Sequence, residues 1–216
     1  TIRKIQIATG AVTTFAGSPG STGSTNATGT SARFYNPYAI ATDGTNIYVA
    51  DSSNNMIRKI VISTGAVTTL AGSTSSGSTD ATGTSARFNS PQGITTDGTN
   101  LYVADNNNHR IRKIVIATGA VTTLAGSSQG SADGTGTSAR FNGPIGIVID
   151  GSNLYVAEFK SHMIRKIAIA TGAVTTIAGS GSNGSIDSSG TWSTFNGPMG
   201  IGIDGTNLYV ADYNNH

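Results

Sequence analysis

The chain contains no cysteine, which excludes disulfides and thiolate metal sites. It is also poor in charge: 11% of its 216 residues are Asp, Glu, Lys or Arg, against roughly a quarter in ordinary globular domains. The net charge of +2 is too small to announce a nucleic-acid partner. No stretch approaches the ~18 consecutive apolar residues of a membrane span. No signal peptide is present, and the chain opens at Thr1 without a methionine, so a processed product or a segment of something longer is expected. Ser, Thr, Gly and Asn carry the polarity instead, a composition that suits an extracellular or cell-surface protein.

What is abundant is repetition. The element Ile-Arg-Lys-Ile begins at Ile2, Ile57, Ile111 and Ile164, a period of about 54 residues. Each copy continues through a Thr-Gly turn into an Ala-Val-Thr-Thr segment, as at Ala120 to Thr123. A Gly/Ser/Thr loop follows, closed by Phe34, Phe88, Phe141 or Phe195 and then by Pro37, Pro91, Pro144 or Pro198. Next comes a short segment such as Gly93-Ile94-Thr95-Thr96 that ends at Asp97-Gly98, a strong hairpin signal. The unit closes with Leu101-Tyr102-Val103-Ala104-Asp105.

Each unit therefore reads as four strands, named a to d from the Gly/Ile-rich one onward, and nothing sustains a helical period. Strands b and c are apolar on both faces: Leu101 and Val103 point one way, Tyr102 and Ala104 the other. A sheet buried on both sides must lie between neighbours. The expected fold is all-β, a β-propeller of four-stranded antiparallel blades. The blade repeats span about 37–72, 91–126 and 144–179, with a fourth assembled from 1–17 and 199–216. That last blade is split. His216 ends Asp-Tyr-Asn-Asn-His, and joined to Thr1 it would read like Asn107-Asn108-His109-Arg110-Ile111. Either the two halves pair and close a four-blade ring, or the four repeats belong to a larger ring or array.

The b-to-c segment resembles the NHL repeat, named for Asn-His-Leu. The matching run Tyr-Val-Ala-Asp-x-x-Asn-His-x-Ile-Arg is complete at Tyr102 to Arg112 and runs from Tyr209 to His216 at the end of the chain. Asn55 replaces the histidine in the first copy. Glu158 and Ser161 replace Asp and Asn in the third, which keeps His162. The resemblance implies a propeller. For function it implies several classes: protein-binding scaffolds, sensor ectodomains, RNA-binding domains and, in related propellers, metal-dependent lyases or hydrolases.

Strands that alternate in direction place the d-to-a loops and the b-to-c turns on one face, and the Asp-Gly and Thr-Gly turns on the other. The first face is the expected binding face. Its candidate residues are Asp51, Asp105, Glu158 and Asp212, which begin the b-to-c turns, His109, His162 and His216, which end them, and Trp192. The acids are expected to accept turn N–H groups or to pair with the following arginine. The histidines, spread by repeat symmetry, are expected to hydrogen-bond locally rather than share a metal. In the d-to-a loops, Asn26, Asp80, Asp133 and Asp187 occupy one repeat position and read as Asx-type turns, short of the oxygen-rich set that calcium takes. The pairs Arg3/Lys4, Arg58/Lys59, Arg112/Lys113 and Arg165/Lys166 form a symmetric ring beside acids rather than a concentrated RNA-reading patch. Trp192 replaces the serine of the Thr-Ser-Ala-Arg run and is either a contact point or a filler of its own loop.

The expected function is a non-catalytic extracellular or cell-surface scaffold or binding propeller, with no cofactor and no metal. Its partner is expected to be a protein or further copies of itself, in a longer repetitive assembly. The alternatives are a metal-dependent propeller lyase or hydrolase, which needs converging histidines and carboxylates, and an RNA-binding domain.

Overall fold

The computed structural model describes residues 1–216. Three sheets carry the sequential antiparallel order a-b-c-d. The first consists of β3 (Pro37–Thr42), β4 (Asn46–Asp51), β5 (Met56–Val61) and β6 (Val67–Gly72). The second has β7 (Pro91–Thr96), β8 (Asn100–Asp105), β9 (Arg110–Val115) and β10 (Ala120–Ala125). The third has β12 (Pro144–Ile149), β13 (Asn153–Glu158), β14 (Met163–Ala168) and β15 (Ala173–Ala178). A short strand, β11 (Gly134–Thr135), adds a fifth member to this sheet at the outer edge of β15.

Local chemistry sets these hairpins. Asp97 takes the N–H groups of Thr99 and Asn100 on one carboxylate oxygen, at 2.8 and 2.6 Å, and the Tyr102 hydroxyl on the other, at 2.9 Å. Gly98 sits at φ +86°, where a side chain would be strained. The same clasp recurs at Asp43 with Tyr48, Asp150 with Tyr155 and Asp204 with Tyr209.

The core lies between the sheets. Tyr48, Ala50 and Ile57 pack against Leu101, Val103 and Ile114 of the next sheet. Tyr102, Ala104 and Ile111 pack against Leu154, Val156 and Ile167 of the one after. Strand β8 thus divides its side chains between two neighbours, as its two apolar faces require. The inner strands stand in sequence about the axis, β3 against β7, β7 against β12 and β12 against β16 (Pro198–Ile203). Glycine permits the approach: a Cβ on Gly93 would lie 2.0 Å from the carbonyl oxygen of Ile145, and one on Gly146 would lie 2.3 Å from that of Met199.

The d-to-a loops bind the edges of the blades they precede. Thr28 and Thr82 bridge to Ala66 and Ala120 on the outer strands, the places that β11 occupies in the third sheet. At the ends, β1 (Ile2–Ile5) pairs with β2 (Val12–Ala16), and β16 pairs with β17 (Leu208–Asp212). Of the two readings of these halves, one closed blade or parts of a larger ring or array, the first is not realised: they stand as two separate two-stranded sheets, so no ring closes. Ile5, Ile7 and Val12 on one half and Tyr209 on the other stay exposed. Gly200, the counterpart of Gly93 and Gly146, meets only the Ala211 side chain of its own hairpin.

Candidate functional site

The acids that begin the b-to-c turns are fixed in the interior. Asp51, Asp105 and Glu158 are fully buried and face equally buried Arg58, Arg112 and Arg165 at 2.8, 2.8 and 2.5 Å. Asp105 also accepts the Asn89 N–H at 2.8 Å and the Asn108 amide at 2.7 Å. Glu158 takes the Asn142 N–H and the Ser161 hydroxyl in the same way. Burial pushes the Asp51, Asp105 and Glu158 carboxyls up, against the pull of the arginines and the hydrogen-bond donors. Each arginine in turn lies over a phenylalanine ring, with Arg112 5.1 Å from the centre of Phe88.

The loop residues read as Asx-type turns do something else. Asp80 pairs with Arg112 at 2.5 Å and takes the Thr123 hydroxyl at 3.0 Å. Asp133 repeats this with Arg165 and Thr176, and Asn26 accepts from Arg58 at 2.7 Å. These groups latch the loop to strands c and d, a role that one sequence position per loop could not reveal. Asp187 and Asp212 hold the equivalent places at the end of the chain without an ion pair, and their counterpart Arg3 is exposed on the other end sheet.

The histidines are not brought together. His109 accepts the Gly143 N–H on Nδ1 at 3.3 Å, and His162 accepts the Gly197 N–H on Nδ1 at 3.0 Å. Both bonds cross to the next blade rather than staying local as expected. Asn55 does the same with the Ser90 N–H. All three residues sit at φ near +55°, the left-handed bend that ends the turn. Burial, with a smaller contribution from Lys160, pulls the His109 pKa down. His216 is exposed at the chain end. Trp192 is 81% exposed on a short turn beside strand β15, far round the blade from the axis.

What the face does contain is an axial cavity of 370 Å³. Tyr38, Gln92, Ile145 and Met199 enter it from the four inner strands, each one residue after the proline that opens strand a. Asn106, Phe159 and Tyr213 enter from the b-to-c turns. A bulge falls in each inner strand directly after this proline, between Pro91 and Ile94 in β7, and re-aims the side chain there. The Phe159 and Tyr213 rings stand 6.4 Å apart and tilted at 55°. Lys160 is the one charged lining residue, and the side-chain oxygen of Gln92 is shut off from solvent with no donor. A second cavity of 340 Å³ shares Tyr38, Ile145 and Met199. None of these residues was singled out in the sequence. The signal that marks them is the contrast between repeats at matched positions.

Comparison with known proteins agrees with the repeat reading. The NHL repeat family model matches residues 88–114. The human NHL repeat-containing protein 2 is 36% identical over 148 residues, which cover 61% of this chain and 20% of that protein. The chain thus spans about a fifth of the curated relatives it matches. Among solved structures, an auxiliary nutrient binding protein from Bacteroides ovatus matches with a TM-score of 0.65 and 25% identity, covering 86% of this chain and 47% of that one. A nidogen/laminin complex matches at 0.64 and 19%, covering 98% and 64%. A virginiamycin B lyase from Staphylococcus aureus matches at 0.53 and 19%, covering 82% and 48%. At such identities the last two speak for the fold alone. Stacked four-stranded sheets, the b-to-c motif and these matches converge: the chain carries an NHL repeat at residues 88–114 and is similar to NHL-repeat proteins over a longer stretch.

Proposed function

We propose that this chain is a non-catalytic binding propeller, extracellular or on a cell surface, that meets its partner through the face carrying the b-to-c turns. The observation that carries this reading is a division of labour among side chains. The acids and two of the three histidines on that face serve the fold, while aromatic and amide side chains line an open cavity at its centre. The partner is a protein or further repeats of the same kind. The neighbours named for nutrient binding and for a complex between two proteins are in keeping with this use of the fold.

The lyase neighbour is the reason to weigh metal-dependent chemistry. Such chemistry needs histidines and carboxylates that converge. Here the histidines end three successive turns, and no group of three His, Asp or Glu stands together that could hold a metal. An RNA surface would draw on the repeated Arg-Lys pairs, but the arginines of three of the four, Arg58, Arg112 and Arg165, are sealed inside.

The test is cross-linking mass spectrometry on the chain and a partner captured from extracellular extract. Cross-links are expected on the b-to-c turns. Tyr38→Arg at the cavity should abolish capture, and Ser63→Arg on the opposite face should leave it intact. Capture through the Thr-Gly turns, or turnover of a substrate that depends on added divalent cation, would overturn the reading.

A further inference from the structure

The four repeats are close to identical wherever packing demands it, and also at many places where it does not. Thr13, Thr68, Thr122 and Thr175 are all exposed and all threonine. Exposure alone has therefore not let the repeats drift apart. At the axial cavity they differ completely. The position after the strand-a proline is Tyr38, Gln92, Ile145 or Met199. The position that opens the b-to-c turn is Ser52, Asn106, Phe159 or Tyr213. At both, no residue type occurs twice, and seven of the nine residues that line the cavity come from these two positions.

Like blades about one axis present every side chain in symmetric copies. A small asymmetric molecule at that axis needs different groups on different sides, so the symmetry must break where the ligand touches. Contacts between neighbouring blades account for part of the second position. Ser52 bonds to Ser90, and the Asn106 amide donates to the Pro144 carbonyl. They do not account for the first, where four unlike side chains point at a common space.

We infer that the axial cavity on the b-to-c face is a binding site for a saccharide of one or two rings. The inference rests on the proposed binding face and gives its ligand a chemical class. Three aromatic side chains offer flat apolar walls to the C–H face of a sugar ring. Gln92 lines the cavity while its side-chain oxygen is buried without a donor, which costs free energy, and a turn of the amide towards the cavity would let a ligand hydroxyl supply one. The neutral amides that line the cavity are those of Gln92 and Asn106. Amides both donate and accept, which is what a ring of hydroxyls requires. No carboxylate lines the cavity, and Lys160 would add contact to a carboxylated sugar. The volume of 370 Å³ falls within the range of small-molecule sites.

The experiment is titration calorimetry of the whole chain with glucose, galactose, mannose, N-acetylglucosamine and glucuronic acid and their disaccharides. At least one is expected to bind with a dissociation constant of about 1 mM or tighter. Tyr38→Ala and Gln92→Leu should each weaken that sugar about tenfold or more, equivalent to ~1.4 kcal/mol. Both side chains line the cavity from strand a, and an unchanged melting temperature excludes misfolding as the cause. Trp192→Ala should leave affinity unchanged. Silence from every sugar, or full affinity in Tyr38→Ala, overturns the inference. If a partner is still captured through this face while no sugar binds, the saccharide assignment fails and the binding-face reading stands. Loss of both brings down both.

Discussion

Removing the Asp105 carboxylate would strand the Arg112 guanidinium in the interior, where Asp80 alone would remain to answer it. Leaving a buried charge without its partner costs about 3–5 kcal/mol, and Asp105→Ala should lower the stability measured by urea unfolding by about that amount. Asp212→Ala removes the same residue type from the same turn, but no arginine faces it, so its cost should stay near 1 kcal/mol, the loss of a cap and turn bond. Similar losses in the two variants would show that the ion pair does not matter. The third repeat shows how the site adjusts. It carries Glu158 in place of Asp and Ser161 in place of Asn, a longer acid beside a shorter donor. Asp105→Glu alone should therefore destabilise by crowding Asn108, and adding Asn108→Ser should recover most of the loss in a double-mutant cycle. The turn acids give a pH signature. Partial burial alone would raise Asp150, but the side-chain amide and N–H of Asn153, the Tyr155 hydroxyl and the Ser152 N–H bring it down to about 2. A carboxyl lowered on folding contributes stability that is present above its unfolded value and lost as pH falls towards the folded one. The melting-temperature gap between the parent and Asp150→Asn should therefore be constant at neutral pH and close between about pH 4 and 2. The buried Asp51, Asp105 and Glu158 shift the other way, so the difference between variants, not the absolute curve, is the reading to take.

At the scale of the strand, the close approach of the inner strands sets the sharpest limit. A methyl group at Gly93 would run into the backbone carbonyl of Ile145, which cannot swing away as a side chain can. Gly93→Ala should force the strands apart and cost about 1–3 kcal/mol in overpacking. Gly200→Ala meets only a methyl group at 3.3 Å and should cost less than half as much. Equal costs in chemical denaturation would mean that the inner strands are not packed as described. Strands b and c, their burial on both faces and the Asp-Gly hairpins were legible in the sequence because each rests on a local signal: Leu101 to Ala104 on an unbroken apolar run, Asp97-Gly98 on turn chemistry. The loop straps were not. Thr82 pairs with Ala120 from inside a Gly/Ser/Thr stretch that has no periodicity to read, and Asp80 finds Arg112 across 32 residues of sequence. The acid and histidine positions were legible as a repeated pattern, but their partners were fixed only by the folded blade. Tyr38 and Gln92 escaped notice because their shared space exists only once separate strands meet at the axis.

At the scale of the molecule, the two end sheets hold complementary unfinished parts. In each complete sheet, the first residue of strand c stands opposite the acid that ends strand b: Met56 opposite Asp51, Arg110 opposite Asp105, Met163 opposite Glu158. Strand β17 ends in Asp212 with that side unpaired, and Asp187 waits in the loop without its arginine. Edges of this kind exchange freely and can recruit another strand. Amide protons of β17 and β1 should therefore exchange with solvent far faster than those of β8 and β9, which are paired on both sides. A copy of residues 163–179 joined after His216 would supply the missing c and d strands, with its arginine placed to reach Asp187 and Asp212 together. The extended chain should melt at a higher temperature and protect the β17 amides. Asp212→Ala, nearly silent in the parent, should become as costly there as Asp105→Ala. If the extension leaves both protection and melting temperature unchanged, strand b alone does not specify its neighbour, and the propeller's continuity would have to come from contacts at the axis. If it succeeds, each blade is completed by strand pairing and by one buried arginine.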